Sequence, residues 1–254
     1  MQQKLAILGS IGSIGKQTLD ICRSHPDYFR AEVLTARRNA DLLIEQAIEF
    51  QPDTVVIADE TLYEKVEQGL KDHPIKVFAG DKSIAEVAAY ESVDTVVLAM
   101  VGFSGLLPAV SAIKAKRKLA LANKEVLVVA GEIISKLSQE YKVPILPIDS
   151  EHSAIFQCLA GERLKDDDKL ILTASGGPFR GFNAEQLKTV TLDQALNHPV
   201  WKMGSKITID SSTMMNKGFE IIKARWLFNI PPEKIEVLVH PQSIIHSMVQ
   251  FVEG

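Results

Sequence analysis

The chain has 254 residues, is 46% hydrophobic and 24% charged, and carries a formal net charge of -4. At roughly 150 residues per domain the length suits two ordinary domains, and the composition excludes a disordered or fibrous protein. With 28 basic against 32 acidic side chains there is no summed positive field to hold a phosphate backbone, so nucleic acid is not an expected partner. Only Cys22 and Cys158 could pair, and no apolar signal-peptide core follows Met1, so a reducing, cytoplasmic setting is expected.

The apolar run 5–8 enters a glycine cluster, and helical spacing resumes over 17–22 until Pro26, which reads as strand, tight turn and helix. Apolar runs at 32–35, 54–58, 77–78, 95–100, 118–121 and 144–148 then alternate with helix-like stretches such as 40–50 and 62–71. That rhythm predicts an α/β fold, a Rossmann-like doubly wound parallel sheet forming a nucleotide-binding domain over residues 1–148. The uncharged run 95–113 has the length of a membrane span, but Gly102, Gly105 and Pro108 divide it into a buried strand, a turn and a second apolar element, so no membrane partner is expected. From Asp149 the texture changes to a helix reaching Leu159 and strands at 170–174 and 237–239, an α+β domain over 149–254. The apolar run 244–252 reads as a strand needing a neighbour, to be supplied by further chain or by another subunit, and a homodimer is expected.

Gly9-Ser10-Ile11-Gly12-Ser13-Ile14-Gly15 lies between the first strand and the first helix, where backbone N–H groups and the positive helix end can receive a pyrophosphate. Some 20 residues later an NAD enzyme places an acid on the ribose. This chain has Arg37, Arg38 and Asn39, and guanidinium groups there favour a 2′-phosphate, hence NADPH.

Asp149 and Glu151 stand two apart at a strand end, so extended geometry would turn both carboxylates to one side, towards Mg²⁺ or Mn²⁺. His240 and His246 have no partner cysteines, which argues against zinc. The Ser175-Gly176-Gly177-Pro178 turn, Ser211-Ser212-Thr213 and Asn216-Lys217-Gly218 together offer hydroxyls, an amide and an ammonium to a substrate phosphate. Glu220 completes a carboxylate set. Three such groups without a cation are expected to repel one another and raise their own pKa values. Trp201, within the aperiodic segment 198–204, is expected to sit on a mobile loop over the site, while Met203, Met214, Met215 and both cysteines read as core.

These segments, in this order, resemble the 1-deoxy-D-xylulose 5-phosphate reductoisomerase family, joined by Leu121-Ala122-Asn123-Lys124-Glu125, Asp149-Ser150-Glu151-His152, Phe179-Arg180 after the glycine turn, and His240-Pro241-Gln242-Ser243. The resemblance implies NADPH contacts at Ser10, Ile11, Gly12, Ser13, Ile14, Arg37, Arg38, Asn39, Asn123, Glu125 and Gly204. It implies a metal held by Asp149, Glu151 and Glu220, and a sugar phosphate contacted by Lys124, Ser150, Glu151, Ser175, His198, Trp201, Ser211, Asn216, Lys217 and Glu220, with Lys124, Glu151 and His198 catalytic. Ile11 stands where the family usually has Thr, and Arg37 where Gly is frequent. The implied reaction is the NADPH- and metal-dependent rearrangement and reduction of 1-deoxy-D-xylulose 5-phosphate to 2-C-methyl-D-erythritol 4-phosphate, a step towards isoprenoid precursors. Family members carry a further C-terminal helical domain, which this sequence is expected to lack. Another NADP-linked, metal-dependent sugar-phosphate oxidoreductase, or a cofactor-binding form without catalysis, are the alternatives.

Overall fold

Short β-branched runs separated by amphipathic stretches fold, in the first half of the chain, as strand and helix repeats. In the computed structural model, which describes residues 2–162, 168–201 and 204–252, these are β1 (Gln3–Leu8), α1 (Ser13–Ser24), β2 (Phe29–Ala36), α2 (Ala40–Phe50), β3 (Thr54–Ile57), α3 (Tyr63–Gly69), β4 (Lys76–Ala79), α4 (Asp81–Val87), β5 (Thr95–Leu98), α5 (Leu106–Lys114), β6 (Lys118–Leu121), α6 (Glu125–Tyr141) and β7 (Ile145–Pro147). The strands form one sheet in the order β4-β3-β2-β1-β5-β6-β7. The chain thus runs outward from β1 to β4, crosses back beside β1, and continues to the other edge. This α/β, Rossmann-like architecture is the one the rhythm of runs predicts. The reversal puts the carboxyl ends of β1 and β5 at the switch point, where such sheets bind ligands. Leu5, Ile7, Leu34, Val55 and Ile57 pack with Leu19 and Leu43 of the covering helices in a dry core, each such side chain contributing about 1.5–3 kcal/mol.

The apolar run 95–113 resolves into β5, a short 3-10 turn at Gly102–Gly105 and α5. Among the described residues no helix is long and apolar enough to cross a membrane.

The chain divides into two units, Met1–Leu146 and Pro147–Gly254. The second contains α7 (Ser150–Cys158), β8 (Lys169–Ala174), α8 (Ala184–Leu187), α9 (Leu192–Leu196), α10 (Ser205–Ser212), α11 (Met215–Phe228), β9 (Ile235–Val239) and β10 (Met248–Gln250). Its sheet has the order β10-β8-β9, with β8 parallel to β9 and antiparallel to β10. Ile155 of α7 and Ala224 of α11 join Leu170, Leu172 and Ile235 in a small core, so both helices pack against this sheet. The expected strand over 244–252 shrinks to β10, because Ser243 and Ser247 take positive φ and break the extended run. One neighbour of this run is β8 of the same chain, and β10 lies at the edge of the sheet.

Candidate functional site

In the first unit the candidate nucleotide site is made of backbone. Gly9 has φ +92°, and a Cβ there would lie 2.9 Å from the Ala99 carbonyl oxygen just past β5. A Cβ on Gly15 would overlap the Gly9 carbonyl oxygen, so glycine lets the first turn of α1 close onto the loop. Gly12 is the N-cap of α1 and supplies no side-chain cap, which leaves the first-turn amides at Ser13 and Ile14 to an incoming anion.

The neighbouring side chains divide between scaffold and surface. Ser10 turns inward, its hydroxyl 2.7 Å from Gln46 Oε1, while Gln46 Nε2 donates to the Ser10 carbonyl at 3.2 Å, pinning the turn to α2. Ile11 packs on the core. Past β2, Arg37, Arg38 and Asn39 are exposed. Asn39 caps α2 by accepting from Leu42 N at 3.1 Å. Arg38 is 78% exposed and its Nε lies 3.4 Å from Asp59 Oδ2. Hydrogen bonds from Thr61, then the charge of Arg38, hold the Asp59 carboxyl below its usual value. Asp59 was not a candidate in the sequence, although its position one residue past the 54–58 run was the available signal.

Asn123 is buried after β6. Its Nδ2 donates to the carbonyls of Met100 at 2.7 Å and Gly102 at 2.6 Å, and its Oδ1 accepts from Val126 N at 2.8 Å. It therefore ties the loop after β5 to the first turn of α6, and leaves Lys124 at the N-cap and Glu125 at the helix start, both half-buried.

In the second unit the site is made of side chains. Asp149 and Glu151 do not alternate along a strand, because β7 stops at Pro147 and Asp149 caps α7, accepting from His152 N at 2.8 Å. Glu151 and Ser150 lie in the first helical turn, with Ser150 Oγ donating to Glu151 Oε2 at 2.7 Å. What gathers the carboxylates is α11, whose buried residues are Lys217, Glu220, Lys223 and Ala224. Lys217 pairs with Glu220 one turn on, and its Nζ lies 3.6 Å from Glu151 Oε1. Asn216 donates to Glu220. Lys223, fully buried, pairs with Asp149 Oδ2.

The expected mutual repulsion is therefore overturned at Asp149. Burial pushes its carboxyl up, but the Lys223 ammonium and the His152 hydrogen bond prevail and hold it far below the usual range. For a hard divalent ion the donor chemistry fits, since all three groups are carboxylates, Glu151 and Glu220 on the Lys217 ammonium and Asp149 on that of Lys223. Among the described residues no three acidic, His or Cys side chains are already gathered as a ligand set.

The candidate phosphate groups meet through a glycine. Gly177 has φ +68°, and a Cβ there would lie 2.6 Å from the Ser211 carbonyl oxygen, so the turn carrying Ser175 closes onto the end of α10. His198 Nδ1 accepts from Val200 N at 3.2 Å and Trp201 N at 3.0 Å, which puts the proton on Nε2. Nε2 then donates to Ser175 Oγ at 3.1 Å and leaves that hydroxyl's proton for another acceptor. Burial pushes the His198 imidazole below its ordinary pKa. Trp201 is 45% exposed, its ring 6.5 Å from that of His246. Gly204 is the N-cap of α10. Lys202 and Met203 of this segment lie outside the described residues.

Sequence reasoning also passed over Lys223. It follows Glu220 by three residues, spacing that puts it near the helix face of that candidate. A lysine is ordinarily read as solvated, which hid the signal.

Comparison with known proteins places these features in a context. The 1-deoxy-D-xylulose 5-phosphate reductoisomerase family model matches residues 5–131, and the model of that enzyme's C-terminal domain matches residues 145–228. Relatives called 1-deoxy-D-xylulose 5-phosphate reductoisomerase include those of Bacteroides thetaiotaomicron and Porphyromonas gingivalis, each 58% identical over all of this chain. The chain spans 65% and 66% of their respective lengths. A crystal structure of DOX-P reductoisomerase in complex with NADPH, fosmidomycin and magnesium matches with TM-score 0.93 at 42% identity, over 99% of this chain and 64% of that one. The Zymomonas mobilis enzyme in complex with NADPH matches with TM-score 0.91 at 41% identity, over 100% of this chain and 65% of that one.

Proposed function

The chain belongs to the 1-deoxy-D-xylulose 5-phosphate reductoisomerase family, and from that premise we propose that it converts 1-deoxy-D-xylulose 5-phosphate to 2-C-methyl-D-erythritol 4-phosphate with NADPH and a divalent metal. The observation that carries this reading is the convergence of Glu151 and Glu220, from two helices, on the Lys217 ammonium, with Asp149 at the N-cap of α7 two residues before Glu151. Magnesium and NADPH, named in complexes of its relatives, would be held by Asp149, Glu151 and Glu220 and by the glycine turn respectively. When bound, they supply Lewis-acid polarisation of the substrate's carbonyl and hydroxyl oxygens and the hydride.

The chain's own residues do the rest. The amides at Ser13 and Ile14 receive the cofactor pyrophosphate, and exposed Arg38 and Arg37 take its 2′-phosphate. Ser175, with its hydroxyl proton freed by His198, joins Ser211, Asn216 and Lys217 at the substrate phosphate, and Trp201 covers the ligand and excludes water. Ser150 orients the reacting carbons. Lys217, already within reach of two carboxylates, balances charge as the anionic substrate enters. A cytoplasmic homodimer completes the reading, supported by the free thiols of Cys22 and Cys158 and by the exposed apolar β9 residues Val237, Leu238 and Val239.

The test is NADPH oxidation on 1-deoxy-D-xylulose 5-phosphate after chelation, with Mg²⁺ or Mn²⁺ then restored. Turnover that disappears on chelation and returns with metal is expected. NADPH binding without turnover under any metal would overturn the catalytic reading.

A further inference from the structure

Lys223 lies on α11, fully buried, with its ammonium on Asp149 Oδ2. A lysine with no exposure is uncommon, because taking the charge out of water costs several kcal/mol unless a partner is built in. The partner here is built in from both sides. Asp149 Oδ1 receives His152 N at 2.8 Å and faces His152 Nδ1 at 2.5 Å. The other ring nitrogen of His152 lies 2.9 Å from the Glu220 carbonyl oxygen, and the ring stacks on Phe228 with centroids 6.3 Å apart. Asp149, His152 and Lys223 thus bolt the N-terminus of α7 to α11 at two points one turn apart, beside the apolar contacts that Ile155 and Ala224 make below.

A carboxylate offers about four lone-pair positions. Among the described residues His152 takes two on Oδ1 and Lys223 one on Oδ2, so Oδ2 is the less occupied oxygen. The clamp is therefore compatible with Asp149 also serving a metal, and it determines which oxygen does so.

We propose that Lys223 is a positioning residue, an internal counter-cation that holds Asp149 in place before any divalent ion arrives, so that the second unit is assembled without metal. The inference rests on the reading of Asp149 as a metal ligand only in its second half; the clamp itself stands on the ion pair and the His152 contacts. Without Lys223 the partly buried Asp149 carboxylate would keep only its His152 contacts, and a divalent ion would become its second structural partner. The metal would then change from a bound reactant's partner to a folding requirement.

The experiment is a set of thermal melts of the full chain carrying Lys223→Met, Asp149→Asn or both, each in EDTA and in saturating Mn²⁺. In EDTA, Lys223→Met is expected to lower the melting temperature by about 6 °C or more, and the double variant to recover most of that loss because neither charge is then left alone. Mn²⁺ is expected to raise Lys223→Met by clearly more than it raises the parent chain, a response that simple loss of packing would not produce. Equal melting of Lys223→Met and the parent in EDTA, or an equal Mn²⁺ shift in both, overturns the proposal. If Lys223→Met does not fold in EDTA, folding of the double variant in EDTA supports it. A double variant that stays unfolded assigns Lys223 to packing and overturns it. Absence of any Mn²⁺ shift in the parent and in Asp149→Asn alike sinks the metal reading instead, while the EDTA comparison still measures the clamp.

Discussion

The two units build their sites from different materials. In the first, binding groups are backbone amides exposed by Gly9, Gly12 and Gly15 at the switch point of a seven-stranded sheet, and the side chains nearby, Ser10 and Asn123, face inward as scaffold. In the second, a three-stranded sheet carries two helices that bury Lys217, Glu220, Lys223 and His152 beside the apolar Ile155 and Ala224. A backbone site fails when a Cβ is added. A side-chain site fails when a charge is removed, because each buried ion depends on its partner.

The most damaging change to the backbone site is expected at Gly15. Its Cβ would overlap the Gly9 carbonyl, and no rotamer relieves a backbone clash. Gly15→Ala should cost at least about 3 kcal/mol, more than a hundredfold in NADPH affinity, a loss read by fluorescence titration. Binding as tight as in the parent would show that the turn opens without cost. The matching change in the second unit is Glu220→Gln, which keeps shape but removes the charge that pairs with Lys217. Turnover should fall about a hundredfold or more, roughly 2.7 kcal/mol, with NADPH affinity nearly unchanged. An equal fall in cofactor affinity would break the distinction between the sites.

A smaller effect is expected at Arg38, the exposed cation past β2. NADPH should bind at least about tenfold tighter than NADH, roughly 1.4 kcal/mol, and Arg38→Asp should narrow or reverse the gap. Equal affinities in the unmodified protein would remove the 2′-phosphate reading.

The smallest effect sharpens the comparison within the second unit. His198 Nδ1 accepts two backbone N–H groups only while unprotonated, and burial lowers its folded pKa below the ordinary 6.5. A depressed pKa means that the unfolded loop takes up the proton first. The latch is therefore fully made above about pH 6.5 and weakens as pH falls through the lowered folded value. Trp201 fluorescence, isolated by subtracting the Trp201→Phe protein, should be flat above neutrality and change on acidification. An unchanged signal down to the onset of acid unfolding would separate Trp201 from His198.

The local sequence was sufficient for the first unit. β-branched runs and glycine spacing determine strands, turns and a helix start within a few residues of one another, so β1, the turn and α1 could be read without knowing what packs on them. The second unit was legible only in its inventory. Asp149, Glu151, Lys217 and Glu220 could be named, and the Lys217 to Glu220 spacing implied one helix face. But the strand alternation assigned to Asp149 and Glu151 gives way to a helix cap, and the positive charge beside Asp149 comes from Lys223, 74 residues away. The partner of the terminal apolar run was likewise decided by register with β8. Backbone conformation is a near-neighbour property that side-chain sterics and glycine encode directly. The pairing of buried charges depends on which helices a sheet brings together, and the packing of α7 and α11 on β8 determines that.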